Sequence, residues 1–246
     1  MAVHGVSLAY RPERREPVQA LSEVSLHASP GEMLAVVGPS GCGKTTLLEL
    51  ICGLRAADAG TIESAPAALM PQRDLLLPWL SALDNAALAL RIAHAPKAQA
   101  RGRARELFAE LGLDGFEDAR PHELSGGMRQ RVAFVRTLLS GKALLCLDEP
   151  FGALDAITRA EMQAWLADAL RKEPRTVVLV THDVEEAVVL ADRIVVLSPR
   201  PGRVSGELDV TLERPRSRTD PAVTALREQV LETLSPAGVP AREESA

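Results

Sequence analysis

Four short stretches constrain this chain most: Met33–Val37, Ala143–Leu147, Thr176–Val180 and Ile194–Leu197 are all but unbroken apolar runs. Each is too short for a helix of ordinary length, and none shows the polar alternation of a strand with one wet face. Strands covered on both faces carry such runs, so a parallel sheet with helices on each side is expected. Val3–Tyr10 and Ser22–Ala28 instead alternate apolar and polar residues, as half-buried strands of an antiparallel sheet do. Between residues 80 and 139 the pattern turns helical. Ala and Leu recur at helical spacing through Ala82–Ile92, Ala98–Leu111 and Gly127–Leu139, broken at Pro96, Gly112 and Pro121. Ala156–Arg171 adds one amphipathic helix. After Glu213 come Arg and Pro residues, then a short helix near Pro221–Leu234 and a polar tail, all expected to be peripheral. The expected fold is therefore α/β, with an N-terminal antiparallel β subdomain and an inserted α-helical subdomain. Its boundaries fall at 1–215 for the main domain and 216–246 for the tail.

Composition narrows the function classes. With aromatics at 3%, the core has to be built from Leu, Val, Ile and Ala. A net charge of -5 argues against nucleic acid as a partner, since such surfaces gain affinity from clustered Lys and Arg. No apolar run is long enough to span a bilayer, and the first ten residues lack a basic start followed by an apolar stretch. A cytoplasmic location is the expectation. The three cysteines, Cys42, Cys52 and Cys146, have no metal-ligand spacing and read as buried or glycine-flanked thiols in a reducing compartment.

Chemistry enters where the first apolar run ends. Gly38-Pro39-Ser40-Gly41-Cys42-Gly43-Lys44-Thr45 fits G-x-x-x-x-G-K-[ST], between an expected strand and the apolar helix Thr45–Cys52. The glycines let backbone N–H groups turn inward around phosphate oxygens, and the helix N-terminus adds partial positive charge. Lys44 would bring an ammonium to the β- and γ-phosphates, and the Thr45 hydroxyl would ligate Mg²⁺. A second acidic element completes such a site. Leu144-Leu-Cys-Leu-Asp148-Glu149 is an apolar strand ending in two carboxylates. Asp148 is placed to hold Mg²⁺, and Glu149 to orient and deprotonate an attacking water.

Leu124-Ser125-Gly126-Gly127-Met-Arg-Gln-Arg131 resembles the signature sequence of ABC ATPases, although Met128 departs from the glutamine common after the two glycines. The rest of that family's pattern follows in order. Gln72 stands where the Q-loop glutamine belongs, Ala153-Leu-Asp155 looks like the D-loop, and His182 follows its strand like the switch histidine. The resemblance covers roughly residues 3–210. It implies a phosphate-loop (RecA-like) core that binds ATP and Mg²⁺, with the phosphate loop through Thr46 as the nucleotide cradle. Thr45, Gln72 and Asp148 would hold the metal; Glu149, His182 and Gln72 would be catalytic. It also implies a head-to-tail homodimer with two ATPs at the seam, in which Ser125, Gly126 and Gly127 reach the partner's nucleotide; Asp155 of the D-loop would also belong to the nucleotide-binding residues. Ser125 precedes a helix, so its hydroxyl and the following N–H groups make a second anion site. By the same resemblance Tyr10 stacks on adenine; otherwise it is a half-buried strand residue. Trp165 and its Leu/Ala surroundings read as packing.

Leu76-Leu-Pro-Trp79 and Ser198-Pro-Arg-Pro-Gly-Arg203 resemble the nitrate/sulfonate/taurine branch of importers, which also includes proteins for thiamine-precursor pyrimidines. That branch implies an integral membrane permease as partner, a solute-binding protein acting indirectly, and peripheral attachment to the cytoplasmic face of the inner membrane. Residues 72–80 are the expected contact with the permease, although Leu75, Leu76 and Trp79 cannot be divided into core and interface from sequence. A non-transport ABC ATPase is the alternative. The repair type would need a long coiled-coil insertion before Leu124, and the ribosomal type usually carries two cassettes; neither is present.

Overall fold

In the computed structural model, which describes residues 1–11 and 16–235, the apolar runs become the centre of one sheet. These are β3 (Met33–Val37), β6 (Leu144–Asp148), β7 (Thr176–Thr181) and β8 (Arg193–Leu197). With β5 (Ala67–Met70) and β9 (Val204–Asp209) they form a six-stranded sheet in the order β5-β6-β7-β3-β8-β9. Five strands run parallel and β9 returns antiparallel at the edge, so the sheet is mixed where a parallel one was expected. β9 alternates half-buried and exposed residues, as an antiparallel strand with one wet face does. A second sheet, β2-β1-β4, is antiparallel and joins β1 (Ala2–Tyr10), β2 (Val18–His27) and β4 (Ala59–Glu63). β2 starts at Val18, ahead of the Ser22 at which alternation becomes legible.

Helix α1 (Lys44–Ile51) follows β3 and buries Leu47 and Leu48 between the two sheets. The inserted lobe holds α2 (Ala82–Ala86), α3 (Leu88–Ile92), α4 (Lys97–Glu110) and α5 (Gly126–Leu138). The single helix expected over 82–92 is divided at Ala87, which keeps near-helical dihedrals. Ala100, Ala104 and Phe108 form the buried stripe of α4. Helix α6 (Ala156–Lys172) ties this lobe to the core through Trp165. Its ring meets Phe134 edge-on at 5.9 Å, and its indole N–H donates to Glu110 Oε2 at 2.9 Å. Trp165 is thus packing, as expected, with a polar contact at its tip. Cys42 and Cys146 are buried and Cys52 half-buried.

The C-terminal segment is less peripheral than its polar flanks suggest. Helix α8 (Pro221–Leu234) buries Val223 and Val230 against α7 (Val184–Leu190) and the β8–β9 hairpin. The Arg216 guanidinium donates to the carbonyls of Val188, Ala191, Leu212 and Val210. It thereby supplies donors to the open C-terminal carbonyls of α7, a favourable place for a cation. No described helix is long and apolar enough to cross a membrane.

Candidate nucleotide site

The loop after β3 can take its shape only with small residues. Gly43 has φ +104°, and a Cβ there would lie 2.6 Å from Leu21 Cδ2 and 2.9 Å from the Ala20 carbonyl. Lys44 is buried, and its ammonium donates to the carbonyls of Gly38 at 2.7 Å and Pro39 at 3.1 Å. A positive charge held in this way by its own loop, at the N-terminus of α1, suits a polyanion. The Cys42 thiol lies 3.9 Å from the same ammonium, and burial pushes its titration up.

The acidic strand end faces this loop. Thr45 Oγ1 donates to Asp148 Oδ2 at 2.7 Å, so the two residues expected to share a metal are already adjacent. Burial, chiefly, pushes the Asp148 carboxyl above the usual carboxylate range, and the neighbouring Glu149 charge adds to this. Glu149 occupies the left-handed backbone region at φ +47°, where residues other than glycine are uncommon and strain marks functional sites. Its carboxylate accepts from Gln72 Nε2 at 2.8 Å through one oxygen and meets His182 Nδ1 at 3.0 Å through the other. Residues from the ends of β5 and β7 therefore converge on the one carboxylate at the end of β6.

A cavity of about 390 Å³ lies over these groups, lined by Ser40, Gly41, Gly43, Lys44, Thr45, Thr46, Gln72, Asp148, Glu149 and Tyr10. The Tyr10 hydroxyl hydrogen-bonds Thr46 Oγ1 at 2.9 Å, and Arg55 stands 5.0 Å over its ring. Val18, Ala20 and Arg200 complete the lining; Arg200 belongs to the Ser198–Arg203 motif, but none of the three was expected at the nucleotide from sequence. Only the interruption of the polar segment before β2 could have pointed to Val18 and Ala20. Thr45, Asp148 and Gln72 offer oxygen donors, the kind Mg²⁺ prefers, so the residues present fit that ion. Ser125, Gly126, Gly127 and Asp155 lie outside the cavity. Ser125 caps α5 by accepting from the Met128 N–H at 3.2 Å, and Asp155 caps α6 by accepting from the Ile157 and Thr158 N–H groups. A Cβ on Gly127 would meet Leu154 at 3.2 Å, so Gly127 lies against the segment that leads into Asp155.

The sheet order, the phosphate loop after its central strand and the paired carboxylates opposite define a phosphate-loop nucleotide hydrolase. The family model for ABC transporters matches residues 21–152. Relatives include the aliphatic sulfonates import ATP-binding protein SsuB 1 of Rhodococcus jostii (strain RHA1), 44% identical over 94% of this chain and 93% of that protein. The taurine import ATP-binding protein TauB of Chromobacterium violaceum is 42% identical over 92% of each chain. Among solved structures, the dimeric post-hydrolysis state of the ATP-binding cassette MJ0796 bound to ADP and Pi superposes with a TM-score of 0.78. It is 28% identical over 86% of this chain and 99% of that one. The chain belongs to the ABC transporter family, as one of its ATP-hydrolysing cassettes.

Proposed function

We propose that this chain powers uptake of a small solute of the sulfonate, taurine or nitrate kind, or of a thiamine-precursor pyrimidine, through a separate membrane permease. The observation that carries this reading is the loop 72–80. It begins at Gln72 in the nucleotide site and ends in an exposed apolar patch. Leu75 is 56% exposed and Trp79 68%, whereas Leu76 between them is only 8% exposed. Large apolar side chains held in water next to a catalytic residue suit a protein contact. The loop is also gripped by α5: Arg136 donates to the Asp74 and Leu75 carbonyls, and Arg129 pairs with Asp74 at 3.1 Å. Motion of the helix that begins at Ser125 is thus tied to motion of the patch. The permease would be met on the cytoplasmic face of the membrane, and a solute-binding protein would act on the far side without touching this chain.

In the reaction, Lys44 and the phosphate-loop amides hold the β- and γ-phosphates. Glu149 takes a proton from the attacking water, and His182, within reach of that carboxylate, holds it and the γ-phosphate in register. Thr45 and Asp148, with Gln72, would hold Mg²⁺, which supplies positive charge to the phosphate oxygens. Ser125 and the amides of Gly126 and Gly127 would cap the partner's γ-phosphate in a head-to-tail dimer. Loss of that phosphate reopens the seam. The test is Glu149→Gln. It should retain ATP and lower turnover by about 10²–10⁴-fold, the range of a lost general base. Near-normal steady-state hydrolysis would show that the base is another group.

A further inference from the structure

Ser198–Arg203 joins β8 to β9 and has no part in the chemistry above, yet it is built against the phosphate loop. The Gly202 N–H donates to the Ala20 carbonyl at 2.9 Å, and the Gly202 carbonyl accepts from the Ser22 N–H at 2.9 Å. These bonds clip the segment to Leu21 as a one-residue parallel bridge. Gly202 also presses on the loop itself: a Cβ there would lie 2.1 Å from the Cys42 carbonyl, so only glycine fits. Ser198 Oγ donates to the carbonyls of Pro199 and Pro201 and accepts from the Arg203 N–H at 3.1 Å, which fixes the shape of the turn.

What this turn presents is Arg200. Its Nη2 lies 3.3 Å from where a Cβ on Gly41 would stand, and its side chain lines the cavity with Lys44 and Thr45. Other arginines between residues 193 and 218 are engaged: Arg193 with Glu32, Arg203 with Glu23, Arg214 with Asp192 and Arg218 with Glu185. Among the described residues no carboxylate or carbonyl accepts from Arg200. The cavity's own acids are turned elsewhere, Asp148 to Thr45 and Glu149 to Gln72 and His182. An exposed guanidinium beside a phosphate cradle, unmatched among the described residues, presents a planar fork of N–H donors suited to phosphate oxygens.

We propose that Arg200 is a nucleotide-binding residue, donating to the phosphate chain of the nucleotide held by the same subunit. The proposal rests on the phosphate-loop reading of Gly38–Thr45. The experiment is titration of the soluble subunit with fluorescent ATP and ADP analogues, using Arg200→Ala, Arg200→Lys and, as reference, Lys44→Ala. Arg200→Ala should weaken both nucleotides about tenfold, as expected for a charge-assisted hydrogen bond at a partly solvated site. Arg200→Lys should fall between, because it keeps the charge and loses the fork. Without nucleotide, Arg200→Ala should melt like the wild type, since no partner among the described residues is lost. Wild-type affinity in Arg200→Ala beside a large loss in Lys44→Ala would overturn the role of Arg200 alone. Unchanged affinity in Lys44→Ala would instead overturn the phosphate-loop reading. A defect for ATP that appears only at protein concentrations where Glu149→Gln dimerises would assign Arg200 to the subunit seam, and the proposal would again be wrong.

Discussion

The alternation of burial along Leu75, Leu76 and Trp79 makes a sharp prediction, because one position should govern stability and its neighbours assembly. Leu76 is 8% exposed and packs in the core cluster that spans the helical lobe. Truncating such a leucine removes its transfer free energy and leaves a cavity, together about 2–4 kcal/mol. For a chain of this size each kcal/mol moves the melting temperature by roughly 2–4 °C, so Leu76→Ala should melt about 4–16 °C early. Leu75→Ser and Trp79→Ser act on side chains that are mostly in water and should cost about 1 kcal/mol or less each. Their intrinsic ATP hydrolysis should be unchanged, because neither touches the nucleotide cavity. The Leu75→Ser/Trp79→Ser double variant should nevertheless fail to co-purify with the permease and fail to support uptake in reconstituted vesicles. Scanning calorimetry gives the first half and uptake the second. A double variant that folds, assembles and transports like the wild type would refute the docking role. A thermally silent Leu76→Ala would refute the assignment of inside and outside.

Other expectations follow from the same geometry. Glu149→Gln with ATP should dimerise by light scattering, and adding Ser125→Arg should abolish this; persistence of the dimer would remove Ser125 from the seam. Tyr10→Ala should weaken ATP binding by about 1–3 kcal/mol if the ring stacks on adenine. Tyr10→Phe should recover most of this, less the modest value of the bond to Thr46, and calorimetric titration decides. Gly202→Ala must push the turn off the Cys42 carbonyl, so it should lower both stability and ATP affinity, by about 1–3 kcal/mol in folding as overpacking usually does. Equal melting temperatures would show that the turn yields freely.

Much of this was legible because the phosphate loop and the central strands are written locally. Met33–Val37 needs no neighbour to read as a strand buried on both faces, and Gly38–Thr45 has one plausible use. Edge elements were harder. β4 is Ala-Gly-Thr-Ile-Glu, nearly all exposed, and it exists because β1 offers it a ladder rather than because its own pattern demands one. β5 has four residues, too few for periodicity to declare itself. The site residues with motif spacing could be named in advance, but Arg200 could not be. Its place in the cavity depends on a turn returning to residues some way back along the chain, and the Ser198–Arg203 motif in which it stands carries no mark of that. The sorting of Leu75, Leu76 and Trp79 was hidden for a related reason. Three large apolar residues in an irregular loop have no period to say which faces inward.

The position of β3 also bears on how the protein is made. β3 carries the phosphate loop, and its two neighbours in the sheet are β7 and β8: Met33 pairs with Val177, and Leu34 with Arg193. A ribosome delivering this chain from the N-terminus releases the cradle long before either flanking strand exists. Until then five apolar residues and the loop behind them have no ladder to join, and such unpaired edges invite association with the wrong partner. The early β2-β1 hairpin can form at once, whereas the ATP site must wait for the last third of the polypeptide. Nascent chains halted before residue 176 should therefore hold no nucleotide, and chaperone occupancy should be greatest over that interval of synthesis.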